Sequence, residues 1–340
     1  MRASIRTAGH NVDVDSALNW AGEIITESHG TSPLSHDDAG SDIRVTIQNE
    51  TGAFDTTDWA PLTRDSWARN GRVVIRDVCT SGFDMEMTVT PKGPDFRFRW
   101  RPPPRTRALS YALRSRWHLL ARAVLVQYPA LWWAGVNDSV LMHAAVCTAG
   151  RSTPLIAGAA GVGKTTALMT ELQRGERAVS DNLCVVSDRT VRGLVEPVRV
   201  EGVSGRKMPH GRREIPLPNR VDSLVPDCVV ILKQATDRSS GRPCEPTAAE
   251  RTLVAGTYVA GELRRYWTYS ATLALGTGLG NPHPPIAAMA ADLTDRLPCF
   301  EIALSRTDET SLGALIDLAS KDFPAKFRRL TAASQREDAV

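Results

Sequence analysis

An α/β fold in two parts is what this sequence predicts, on three observations. A short apolar run, Pro154 to Ala157, leads into a glycine-rich octet and then into a helical stretch from Thr165 to Gln173. Short alternating segments crowd the first hundred residues, as strands do. Between the two regions stands Arg101-Pro102-Pro103-Pro104, which reads as a linker. The expected limits are 1–104 for a smaller, sheet-rich N-terminal α+β domain and 105–136 for a helical connection. An α/β domain with a mixed sheet is expected over 137–325, and 326–340 is a flexible tail.

Taken in order, Asp15 to Ser28 has a weak helical pattern, with Leu18, Ala21, Ile24 and Ile25 on one side. The polar stretch His29 to Ser41 reads as a loop. Asp42 to Gln48 alternates Ile43, Val45 and Ile47, and Val73 to Ile75, Met85 to Val89 and Phe96 to Trp100 are also strand-like. Apolar residues then recur at three-to-four spacing from Ala108 to Trp133, with Pro129 expected to end or kink that helix. Strands follow at Val140 to Cys147, Pro154 to Ala157, Arg177 to Val179, Leu183 to Val186 and Cys228 to Leu232. Thr247 to Leu263 reads as a helix and Gly276 to Pro285 as a loop. A strand at Cys299 to Leu304 and a helix at Ser311 to Leu318 complete the pattern.

Composition narrows the class. The chain has 340 residues, 42% hydrophobic and 23% charged, which suits a globular protein with a sizeable core. Its 41 basic and 38 acidic residues leave a net charge of +3, too balanced to call for nucleic acid or an anionic membrane as partner. The six cysteines lack metal-ligand spacing and read as free thiols, several of them buried. No signal peptide or membrane-spanning run of apolar residues is expected, which points to the cytoplasm.

The octet Gly158-Ala159-Ala160-Gly161-Val162-Gly163-Lys164-Thr165 matches G-x-x-x-x-G-K-[ST] throughout. Successive backbone N–H groups in such a loop make a concavity for anions, and the glycines supply the positive φ angles it needs. The following helix, entered through Thr165 and Thr166, points its positive end at the same place. Lys164 is expected to reach the β- and γ-phosphates of ATP, and Thr165 to hold Mg²⁺.

The surroundings of the octet are distinctive. Met142-His143 lies on the strand before it; Arg174-Gly175-Glu176-Arg177 and then Asp181-Asn182 come after it. A Walker B strand ending in Asp is missing, since the apolar run Val229 to Leu232 ends in Lys233. Together these features resemble the HPr kinase/phosphorylase family, which shares its nucleotide-binding core with phosphoenolpyruvate carboxykinase. That family runs Leu-His strand, Walker A loop, short helix, R-G-x-R turn and Asp-Asp pair. The resemblance covers Ser139 to Val200, less than a fifth of the chain. It implies an HPr-kinase-like P-loop core. It also implies a stand-alone kinase similar to those that tailor peptide natural products such as lasso peptides. Asn182 replaces the second Asp, and the family's Glu-x-Arg-Gly stretch is represented only by Glu196-Pro197-Val198-Arg199. Both departures argue for a kinase without phosphorylase activity.

Under this resemblance Asp181 is the general base that takes the proton of an attacking hydroxyl, with Lys164 and His143 as further catalytic groups. Asp181 as an ordinary turn residue, and His143 as a satisfied core residue, are the alternatives. Thr165, Asn182 and Glu196 are the candidate metal ligands, with Glu196 otherwise a solvated surface residue. Lys207, Arg212 and Arg213, beside Arg206, are candidate phosphate or substrate contacts or else a solvated basic loop. Arg264 and Arg265 beside Tyr266 and Trp267 suit peptide recognition or a packed helix end, and the loop from Gly276 a lid or a plain connection. The expected acceptor is a hydroxyl of a peptide, protein or small-molecule alcohol, in specialised metabolism, with a homo-oligomer open. Phosphoenolpyruvate-carboxykinase-like chemistry and a non-catalytic nucleotide-binding regulator are the rival readings.

Overall fold

The short strands of the first hundred residues form one eight-stranded sheet. The computed structural model describes residues 1–26, 41–202, 205–208, 212–305 and 310–321. These fall into two units: residues 1–139, 194–216 and 261–284 form the first, and 140–193, 217–260 and 285–340 the second. The expected linker is absent as such. Pro104 opens the helix Pro104–Ala112, at a position where a missing N–H costs nothing.

In the first unit the outer strands Arg2–Thr7 and His10–Ser16 pair antiparallel, and Ile43–Gln48 joins them in parallel. Gly93–Trp100 pairs with Ile43–Gln48 in parallel, and Phe83–Thr90 and Arg72–Ile75 then continue the sheet antiparallel. Its buried face carries Val12, Ile43, Ile47, Met85, Phe96 and Phe98. Trp20, Phe83, Trp100 and Trp117 pack as an aromatic group with centroids 5.0–5.9 Å apart. The helix expected at Asp15 to Ser28 begins later, at Asn19, because His10–Ser16 extends as a strand; residues 27–40, its expected end and most of the loop expected at His29 to Ser41, lie outside the described residues.

Pro129 does not end the helix. A π-helical turn, Ala123–Gln127, precedes it, and the Tyr128 N–H reaches back to the Ala123 carbonyl. Pro129 therefore sits in the first turn of Tyr128–Val136. The resulting 23-residue helix, Arg114–Val136, is long and apolar enough to cross a membrane, contrary to the sequence expectation. Its most apolar window is 72% buried in the structure, as in a core helix. Residues 194–216 return to this unit as a three-stranded sheet of Val198–Val200, Arg213–Ile215 and Arg206–Lys207. The third segment contributes the helix Tyr266–Thr277, whose Tyr266 and Tyr269 pack at a tilt against Tyr128. That favours the packed helix end for Tyr266. The helix also runs into the expected glycine loop. Gly276 abuts Val73, Leu62 and Ala68, and Gly278 ends the helix at φ 72°.

The second unit is a mixed α/β arrangement. Its six-stranded sheet runs Ala178–Ser180, Ala145–Cys147, Pro154–Ala157, Cys228–Gln234, Cys299–Leu304, Ser240–Pro243. The middle three of these after Ala145–Cys147 begin a parallel set: Pro154–Ala157 pairs in parallel with Cys228–Gln234, which pairs in parallel with Cys299–Leu304. A four-stranded sheet adjoins it, in the order Ser223–Leu224, Thr190–Gly193, Leu183–Ser187, Val140–His143. Helices Lys164–Gln173 and Leu312–Lys321 bury Leu168, Leu172, Leu315 and Ile316 in one core with Ile156, Val230 and Ile302. Buried Glu171 fastens the two helices: its carboxylate accepts the Leu312 N–H at 2.8 Å and pairs with Arg174 at 2.9 Å. All six cysteines are free thiols, and burial pushes Cys299 up to about 12.

Candidate nucleotide site

Two strands change sheets side by side, and the candidate site lies where they do so. One passes from the four-stranded to the six-stranded sheet through His143 and Ala144. The other crosses the opposite way through Asp181 and Asn182. Register ties the crossings together: Leu183 faces His143 and Val146 faces Ser180. Ala145 faces Ile156, so His143 and Ala144 come out beside the carboxyl end of Pro154–Ala157, where the glycine loop begins. In sheets with parallel strands, ligands bind outside the strands' carboxyl ends. Topology thus gathers Gly158, His143, Asp181 and Asn182 at one edge, although they are distant in sequence. Close backbone contact marks the crossing, since a Cβ on Gly193 would lie 2.0 Å from the Val179 carbonyl oxygen.

The loop has the expected backbone. Gly158, Gly161 and Gly163 take φ of 156°, 82° and 103°. A side chain at Gly158 would strike the Leu232 carbonyl at 2.7 Å, so the loop leaves the sheet through a gap only glycine fits. Ala159, Ala160 and Gly161 are exposed, with Val162 and Gly163 partly so. Gly163 caps the helix, and its carbonyl accepts the Ala167 N–H at 2.9 Å. Lys164 is buried, its ammonium donating to the carbonyls of Gly158 at 2.8 Å and Ala159 at 3.3 Å. Thr165 is partly buried, and exposed Thr166 follows in the first turn.

The helix ends where Arg174-Gly175-Glu176-Arg177 was singled out. Glu176 N–H donates to the Glu171 carbonyl at 3.2 Å and Gly175 N–H to Leu172 at 3.1 Å, with Gly175 at φ 90°. This is a Schellman cap, and it accounts for the glycine. Glu176 then accepts from the Gly150 N–H at 3.0 Å and from the Thr148 hydroxyl, aiming the chain into Ala178–Ser180.

Ser180 closes the next turn. Its hydroxyl donates to the Leu183 carbonyl at 2.7 Å and accepts the Asn182 N–H at 3.1 Å. The Asp181 carboxylate instead reaches across to the loop, where Oδ2 accepts the Thr165 hydroxyl at 3.1 Å. The turn from Ala178–Ser180 into Leu183–Ser187 is thus closed by the Ser180 hydroxyl.

His143 is held on three sides. Its N–H donates to Thr257 Oγ1 at 3.1 Å; Nδ1 lies 3.1 Å from the Gly256 carbonyl oxygen; Nε2 lies 2.9 Å from Asn182 Oδ1. Thr257 and Gly256 belong to the helix Pro246–Val259, and Thr257 also donates to the Leu253 carbonyl at 2.8 Å. A carbonyl only accepts, so Nδ1 carries the hydrogen. A neutral ring then presents bare Nε2 to Asn182, whose amide turns its NH₂ toward it; a doubly protonated ring keeps Oδ1 there. In either state the ring fixes the Asn182 side chain. Sequence reasoning missed Gly256 and Thr257, and no motif marks them.

The remaining candidates lie in the first unit. Glu196 is partly buried. Arg213 donates to the Gly205 carbonyl at 2.9 Å, Arg212 stands 3.9 Å from Glu201, Arg206 bonds His118, and Lys207 is exposed. These local contacts fit a basic hairpin of the three-stranded sheet.

No known family profile matches the chain, and no curated protein matches it. Among solved structures, the Hpr(Ser) kinase/phosphatase from Coxiella burnetii aligns over 57% of this chain and 98% of that one. The identity is 13% and the TM-score 0.27, values at which the likeness carries no argument. What stands is a mixed α/β fold with a glycine-rich loop facing an aspartate.

Proposed function

We propose that this chain is an ATP-dependent kinase that passes the γ-phosphoryl group to a hydroxyl of a peptide, protein or small molecule. The observation that carries the reading is the pairing of Thr165 with Asp181 at 3.1 Å across the mouth of the loop. Among the described residues no group of three His, Cys, Asp or Glu side chains is placed to hold a metal. Two adjacent oxygens, Thr165 Oγ1 and Asp181 Oδ2, nevertheless fit Mg²⁺, which takes one or two protein oxygens and completes its shell with phosphate and water. Bound there, Mg²⁺ would neutralise phosphate charge.

The chain's own groups divide the remaining work. Backbone N–H groups from Ala159 to Lys164 cradle the phosphates, and Lys164 turns from the Gly158 carbonyl to the β- and γ-oxygens. Asp181 accepts the acceptor hydroxyl's proton. Asn182, held by His143, orients the water or hydroxyl beside it without adding charge. The missing second carboxylate favours transfer to an alcohol over attack by phosphate on a phosphoester.

The test is γ-labelled ATP with Mg²⁺ and a set of Ser-bearing peptides and polyols, comparing the native chain with Asp181→Asn. The variant should lose about 10²–10⁴-fold in rate while still binding ATP, measured by calorimetry. Equal ATP binding with no labelled acceptor in either protein would end the kinase reading in favour of a nucleotide-gated regulator.

A further inference from the structure

Two cysteines that the nucleotide site does not use face each other across the last two strands of the six-stranded sheet. Ser240–Pro243 pairs antiparallel with Cys299–Leu304, setting Arg242 opposite Glu301 and Pro243 opposite Phe300. One step further the same register sets Cys244 opposite Cys299, and the Cys244 N–H donates to the Cys299 carbonyl at 2.8 Å. Opposed residues of such a pair have Cα atoms about 5.5 Å apart. That lies within the roughly 4.4–6.8 Å that a disulfide spans.

The two side chains share a face of the sheet. Residues two apart on a strand point the same way. Arg242 and Glu301, two residues along from Cys244 and Cys299, meet on that face at 2.6 Å. The other face of the strand carries Phe300 and Ile302, which pack into one core with Cys147 and Cys228. Those two thiols are thus on the wrong side of the sheet for Cys299. Cys184 lies in the four-stranded sheet, and Cys79 belongs to the first unit. Cys244 is partly exposed and Cys299 buried, so solvent reaches one member of the pair and not the other.

We propose that Cys244 and Cys299 form a reversible cross-strand disulfide, with a small-molecule disulfide such as glutathione disulfide as the oxidant. The Cys244 thiolate attacks one sulfur of glutathione disulfide and expels a glutathione thiolate. The Cys299 thiolate then attacks Cys244 Sγ, breaks the mixed disulfide and expels the second glutathione. Each cysteine gives up its proton, and two electrons pass to the glutathione, which leaves as two thiols. Burial, with Cys244 and Asp295 nearby, pushes the Cys299 thiol up to about 12; burial and then Glu301 raise that of Cys244. Only the thiolate attacks, so the exchange is slow at neutral pH. The pair therefore answers a lasting change of redox poise and not a brief pulse of peroxide. Cys244 leads directly into the helix Pro246–Val259, so the bond ties the root of that helix to the neighbouring strand. The proposal does not depend on phosphoryl transfer.

The experiment treats the folded chain overnight with glutathione disulfide at about pH 8.5, traps free thiols with an alkylating reagent and maps tryptic peptides by mass spectrometry. The expected main oxidised product is a linked pair of peptides carrying Cys244 and Cys299. Folding presets the geometry, so the link should be about tenfold or more enriched over the same chain in urea, where links scatter among the cysteines. Dithiothreitol should return both thiols. In Cys299→Ser the reaction should stop at Cys244 carrying one glutathione. The proposal is overturned if Cys244 of the folded native chain stays reduced, stops at the mixed disulfide or joins a different cysteine. It is equally overturned if the Cys244–Cys299 link is no more abundant in the folded chain than in urea. These readings come from the native chain, so they stand even if Cys299→Ser fails to fold.

Discussion

At Asp181 and His143 a bland and a functional reading compete, and their hydrogen bonds bear on both. The Ser180 hydroxyl closes the turn, and Asp181 faces Thr165. His143 is tied to the helix Pro246–Val259 through its backbone N–H and Nδ1, while Nε2 meets Asn182 beside the proposed site. The Gly256 carbonyl imposes one tautomeric feature. Two-bond ¹H–¹⁵N NMR on ring-labelled protein should show His143 Nδ1 protonated at every pH where the fold persists; an Nε2–H tautomer would contradict the geometry. Local signals made the loop residues readable in advance, since Gly158 to Thr165 form one contiguous motif whose backbone angles only glycine takes easily. The partners of His143 were not readable, because they lie 113 and 114 residues downstream on an unremarkable helix.

Two elements make sharp tests of the second unit. Gly193 lies where Thr190–Gly193 passes the backbone of Val179, with no room for a methyl group. Gly193→Ala should destabilise the fold by about 1–3 kcal/mol in denaturant titration, against less than 0.5 for an exposed control. The strand Cys299–Leu304 carries Glu301, which pairs with Lys233 at 2.6 Å and Arg242 at 2.6 Å. Burial pushes its carboxyl up, but these partners outweigh burial and hold it below its usual 4.5. A depressed carboxylate contributes stability above its unfolded pKa and loses it as the pH falls through the folded value. Native protein should therefore unfold at a higher temperature than Glu301→Gln at pH 7, and the gap should close as the pH drops below about 4.5. The apolar run Val229 to Leu232 is followed not by a carboxylate but by Lys233, which pairs with Glu301 on the neighbouring strand.

For the whole molecule, the proposed ligand should act as a stabiliser. At about a hundred times its dissociation constant, Mg²⁺–ATP should add about 2.7 kcal/mol to unfolding, seen as a raised melting temperature; an unchanged value would count against nucleotide binding. Hydrophobic periodicity foretold the strands of the six-stranded sheet other than Ser240–Pro243, Cys299–Leu304 among them, but missed Arg2–Thr7 and the helices Tyr266–Thr277 and Ile286–Arg296. Assignment of segments to units was not foretold, because it rests on contacts remote in sequence. The Val195 N–H, for example, donates to the Thr7 hydroxyl at 2.9 Å across 188 positions. A proline run looks like a boundary only until its last member starts a helix.

The return of residues 261–284 to the first unit has a consequence in time. A chain leaves the ribosome at about 5–20 residues per second, so roughly 7–30 seconds separate the emergence of residue 139 from that of residue 284. Throughout that interval the nascent first unit lacks the tyrosines of Tyr266–Thr277 that pack against Tyr128, and its apolar helix from Arg114 waits for its last neighbour. A chaperone that shields apolar helices would find its clearest target in that window.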